Sequence, residues 1–198
     1  MTGPTQVLPA GYTQSAEINL KKNIRLMIAL NIAALGIFIL FFYFLPVLSA
    51  LVRPEIKAFS VKITLGTIIS TFVLTVIILM IHECIHGAFF WFFTHSRPVF
   101  GFGVLYAYAS APTWFFPKRQ YAITALGPLV IIGVAGLLFL LLAPGSWVFM
   151  IAFLVALNTG GAVGDLYIFI RLLKVSPKGF ANDIGDAVTF FDLPAAVA

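Results

Sequence analysis

Four stretches of this chain are each apolar for at least the roughly 20 residues that a bilayer core demands of a spanning helix. They run from about Leu26 to Val52, Ile63 to Phe93, Tyr121 to Ala143 and Trp147 to Leu173. The chain is 61% hydrophobic, which is enough for several such helices. Charged residues make up 10% of it, against roughly 25% in a soluble domain. The expected fold class is therefore an all-α membrane protein with about four transmembrane helices. One membrane domain is expected over residues 21–175, with a polar N-terminal leader at 1–20 and a cytoplasmic C-terminal tail at 176–198.

The formal charge of +5 does not point to nucleic acid, because the cations flank the apolar runs. Lys21, Lys22, Arg25, Arg97, Lys118, Arg119, Arg171, Lys174 and Lys178 fall on one side of a four-span topology. Arg53, Lys57 and Lys62 fall on the other. The positive-inside rule then predicts cytoplasmic N- and C-termini, with the lipid bilayer as a standing partner. A plasma-membrane location is expected. The lone Cys84 can form no internal disulfide.

Between the second and third spans, residues 97–118 are apolar but broken by Pro98, Gly101, Gly103, Pro112 and Pro117. That makes a poor helix. Val104 to Ser110 alternates loosely and is aromatic-rich, which suits a strand. Unpaired backbone cannot face lipid, so this segment should line a cavity or lie at the cytoplasmic interface, as a small β-hairpin, a re-entrant segment or an interfacial aromatic loop. Tyr106 and Tyr108 within it are candidate substrate contacts, since an extended peptide could add to such a strand edge. The third span carries Gly127-Pro128 in its first half, and the fourth is interrupted by the glycine-rich run 158–165.

The chemistry is concentrated in His82-Glu83-Cys84-Ile85-His86, an HExxH motif inside the second span. Ionisable residues are rare at such depth and usually functional. Histidines four apart share one helical face, so both imidazoles can ligate one Zn²⁺, and the intervening glutamate can serve as general base. A third protein ligand is needed. Position 92 is phenylalanine, no glutamate follows Glu83, and His95 lies more than two turns from His86 if the helix continues. Of the later acids, only Asp165 lies in an apolar span. At about 1.5 Å per residue, His86 and Asp165 lie roughly 13 and 9 Å from the cytoplasmic ends of their spans. Those depths match. Asn158, about two turns before Asp165, suits hydrogen bonding either to substrate backbone or to a ligand that it orients.

HECIH, FGFGVLYAYASAPTWFFPKRQY, ALGPL and LNTGGAVGDL together resemble the putative zincin peptidase family of membrane domains, over roughly residues 75–190. The resemblance implies zinc ligation by His82, His86 and Asp165, with Glu83 as the catalytic glutamate. The chain is similar, more distantly, to site-2 proteases, which pair HExxH with an asparagine-then-aspartate motif on a later span. It departs from them in having Leu166 after the aspartate and glycines in place of a proline-rich run. The implied activity is hydrolysis of a membrane protein or peptide substrate. Two readings from other classes remain: a non-catalytic metal-binding transporter or sensor, and a structural membrane subunit. No oligomeric state follows from these residues.

Overall fold

The computed structural model describes residues 3–54, 63–103 and 106–194. Among the described residues three helices are long and apolar enough to cross a membrane: α1 (Ile24–Val52), α2 (Leu65–Thr94) and α3 (Lys118–Leu142). Their ends fall within three residues of the apolar runs. The fourth run is broken. A 3₁₀ turn at Gly145–Trp147 leads into α4 (Val148–Gly161), and α5 (Val163–Leu173) follows at a bend of 41°. Counted as one span, this bent pair brings the total to four. The break falls at Ala162, whose N–H still bonds back to the Asn158 and Gly160 carbonyls.

The all-α expectation holds in part: the chain is mostly helical, but it also carries a sheet. A four-stranded antiparallel sheet in the order β1-β6-β5-β4 is built from β1 (Thr13–Asn19), β4 (Phe115–Pro117), β5 (Phe180–Asp183) and β6 (Ala187–Asp192). Its strands come from the two stretches read as leader and tail, together with the entry to α3. The register pairs Asn19 with Ala187 and Thr13 with Asp192. Near the start of the chain, Thr5 bridges Phe115 on β4, and the Tyr12 ring meets the edge of Phe180 on β5 at 5.1 Å. β5 and β6 form a hairpin turned by Gly185, whose φ of +87° suits a residue without a Cβ.

Between α2 and α3, β2 (Val99–Phe102) and β3 (Ala107–Ser110) pair as a separate two-stranded hairpin. The expected strand was longer. Val104 and Leu105 lie outside the described residues, as do Lys57 and Lys62.

By compactness the chain divides into two units, and α1, α2 and α3 each contribute to both. One comprises Met1–Leu30, Glu83–Gly127 and Gly164–Ala198. Its core gathers Ile18, Phe90, Phe116, Tyr121, Leu172 and Phe190, with the rings of Phe90 and Phe116 5.1 Å apart. Fully burying one such aromatic contributes about 1.5–3 kcal/mol, so a few rings anchor the sheet on the ends of α2 and α3. The other unit comprises Asn31–His82 and Pro128–Val163. Leu45, Leu140, Val148, Ala152 and Val155 form its core. There Arg53 donates to the carbonyls of Leu140 (3.3 Å) and Ala143 (2.6 Å), serving the open carbonyls at the end of α3. Outward-facing side chains such as Ile32, Leu35, Phe72, Met80, Val134 and Phe139 remain exposed, as lipid contact requires.

Candidate metal centre

α2 places His82 and His86 one turn apart, and both are buried. Each imidazole is held through its Nδ1. His82 Nδ1 lies 2.9 Å from Asn158 Oδ1, and Asn158, itself buried, donates from Nδ2 to the Pro128 carbonyl at 3.5 Å. His86 Nδ1 lies 2.9 Å from the Thr124 carbonyl. An imidazole facing an acceptor carries its proton there, so Nε2 of each ring keeps the lone pair that a metal requires.

The third residue arrives on α5. Asp165 sits in its first turn, where the helix dipole favours a carboxylate. Asp165 Oδ1 is 3.4 Å from His86 Nε2. Ligand atoms of His82, His86 and Asp165 all lie within 4.8 Å of one another. Zn–N and Zn–O bonds of 2.0–2.2 Å in a tetrahedron separate ligand atoms by about 3.3–3.5 Å. Two imidazoles and a carboxylate at these separations fit zinc, with one coordination position to spare. Glu83 follows His82 directly, and one of its carboxylate oxygens is buried.

Local sequence explains the approach of α3 to this face of α2. A Cβ on Gly127 would collide with the ring of Phe89 and press on Ile85. These two side chains flank His86 along α2, so glycine at 127 lets the backbones come close. On α4, Gly160 does the same toward α1, since its Cβ would lie 2.8 Å from the Ala34 carbonyl oxygen. Gly161 and Gly164 have open space instead.

His95 ends α2 with φ of 53° and packs edge-on against Trp91; it is not one of the clustered ligands. Cys84 is exposed. Tyr106 donates its hydroxyl to Asp186 Oδ1 at 2.6 Å, and Lys21 is 3.4 Å from Asp186 Oδ2. Burial, then the Asp186 carboxylate, pushes the Tyr106 hydroxyl up to about 12. The same hydroxyl, with Lys21, holds Asp186 below the usual carboxylate range. Tyr108 is cradled by Gly101 and Gly185, where a Cβ would strike its ring.

Several residues at the site were not picked out from sequence. Thr124 acts through its backbone carbonyl, which has no signature of its own. Tyr121, in the core, donates to Asp183 Oδ2 at 2.6 Å, and the Gly185 N–H meets Asp183 Oδ1 at 2.8 Å. Burial lifts the Asp183 carboxyl to about 6, outweighing those two donors. Lys118 at the start of α3 donates to the carbonyls of Leu173 (3.1 Å) and Val175 (2.5 Å). The entry of α3, and with it Thr124, is thus tied to the segment leading into β5.

Two buried histidines and a half-buried carboxylate beside a glutamate, in a helical protein with three to four candidate spans among the described residues, define a zincin-type membrane protein. The chain belongs to the family described as "Putative zincin peptidase", whose model matches residues 73–180, more than half of its length. That description points to a metallopeptidase and implies a metal, typically zinc. No curated protein and no solved structure matches the chain.

Proposed function

We propose that this protein is an intramembrane zinc metallopeptidase that cleaves membrane-embedded or membrane-proximal proteins near the cytoplasmic face. The observation that carries this reading is the clustering of His82, His86 and Asp165 on apolar spans, with Glu83 next to the first histidine. His82, His86 and Asp165 would hold a zinc ion, which would supply Lewis acidity toward the scissile carbonyl and water. Glu83 accepts a proton from the attacking water on its carboxylate and returns it to the leaving amine. Asn158 serves by fixing His82, since its side-chain oxygen meets that ring. The cytoplasmic placement rests on the Lys and Arg distribution.

A peptide bond within a helix is shielded by its own hydrogen bonds, so the substrate must be drawn out before attack. β2 supports a route for this. Pro98 and Phe100 pack against α2 at Gly87, next to His86. β2 pairs with β3 on one side, and Val99, Phe100 and Phe102 are exposed. Among the described residues the other edge of β2 has no strand partner, and backbone groups at such an edge in an apolar setting gain most from an added strand. The edge offered to substrate is therefore β2, with Tyr106 and Tyr108 bracing the hairpin behind it.

Bound-metal analysis of the purified full chain tests the centre. Stoichiometric zinc is expected in wild type and not in His82→Ala or Asp165→Ala; zinc that survives Asp165→Ala refutes the ligand set. With a cleavable membrane substrate, Glu83→Gln should keep zinc and lose cleavage by about 10²–10⁴-fold. A transporter or sensor would keep its activity in that variant. Phe102→Pro should impair cleavage with zinc retained, and unchanged cleavage removes β2 from the reading.

A further inference from the structure

α3 carries Pro128 in its interior. In a regular helix the N–H of residue 128 would bond the carbonyl of residue 124, four positions earlier. Proline has no N–H, and its ring crowds that carbonyl and tilts it away from the helix axis. The Thr124 carbonyl is the one that meets His86 Nδ1 at 2.9 Å. Its other interaction partners along the helix are thereby reduced at the atom that orients a ligand. Gly127, one residue earlier, brings this turn of α3 against Ile85 and Phe89 on either side of His86.

We propose that Pro128 is a positioning residue for His86: by withholding a helix N–H, it leaves the Thr124 carbonyl to hold the imidazole with Nε2 turned toward Asp165. This inference rests on the zinc reading above. A proline that only bends the span would act on helix geometry alone. One that frees a carbonyl acts through a single hydrogen atom, and the two roles separate cleanly.

The test compares two variants of the full chain in detergent, Pro128→Ala and Pro128→lactic acid. They present the same methyl group, but the ester in the second has no N–H. Zinc affinity is read by competition with a chromogenic chelator, and thermal unfolding of the metal-free protein is read alongside. Pro128→Ala should bind zinc about 10-fold more weakly, the low end of the effect of losing a ligand-orienting partner. Its metal-free form should unfold no lower than wild type, since alanine is the better helix former. Pro128→lactic acid should bind zinc as wild type does. Pro46→Ala, the same change inside α1, should leave zinc affinity unaltered. Equal affinity of the alanine variant and wild type overturns the inference, and so does equal weakening in both position-128 variants. Absence of zinc from wild type would instead overturn the metal reading on which it stands.

Discussion

His82 Nδ1 and Asn158 Oδ1 lie 2.9 Å apart although 76 residues separate them. The side-chain amide can only accept at that oxygen, so it fixes the proton on Nδ1 and leaves Nε2 for a metal. Asn158→Ala should therefore weaken zinc binding by about 10–100-fold while leaving both histidines in place. Asn158→Asp, which keeps an acceptor, should lose less. Chelator competition measures both, and an alanine variant with wild-type affinity would make Asn158 a packing amide.

Metal binding and folding are linked wherever the site exists only in the native state. At free zinc 1,000-fold above its dissociation constant, the native state gains about 4 kcal/mol. Stripping zinc with a chelator should lower the unfolding midpoint of wild type. The same treatment should leave Asp165→Ala unmoved, and a shift of equal size in both would detach the metal from these ligands.

Close approach of α3 to α2 has its own test. Gly127→Val pushes a side chain into Phe89 and Ile85 and should destabilise the protein by about 1–3 kcal/mol through overpacking. A Cβ at Gly133 on the same helix meets nothing within 4 Å, so Gly133→Val should cost far less. Denaturation of the two variants side by side decides whether the contact is as tight as described.

Asp183 gives a pH dependence with an unusual sign for a carboxylate. Its pKa rises from 3.8 to about 6 on folding because the group is buried. Between those values the native protein holds a proton that the unfolded chain has released. This contribution to stability is therefore complete below about pH 4 and declines as pH rises through 6. Asp183→Asn can still accept from Tyr121 and should flatten this slope. Unfolding midpoints from pH 4 to 7 would show it, and parallel curves for the two proteins would contradict the assignment.

The helices were legible because each is a long apolar run ended by polar residues or Pro and Gly, signals contained within one stretch of chain. HExxH and Asp165 were legible because ionisable side chains inside such runs are conspicuous. The sheet was harder to see. β1 reads TQSAEIN, with little apolar alternation, and its partner β6 lies near the other end of the chain. Only AVTFFD beside the IG turn carried a local strand signal, and it was read as polar tail. Thr124 was invisible because its contribution is a carbonyl common to every residue, although Pro128 four positions later marked that carbonyl in advance.

The pairing of β1 with β6 also sets an order of events during synthesis. Residues 13–19 are made well before their partners at 187–192. At about 5–20 residues per second, the first strand waits on the order of ten to thirty seconds for the second. By then α2 and its two histidines have already been made. The sheet that ties down the entry of α3, and through it the His86 ring, can close only once β6 has emerged. A newborn chain would thus carry its ligands well before it could hold them in place, and competence would come with β6.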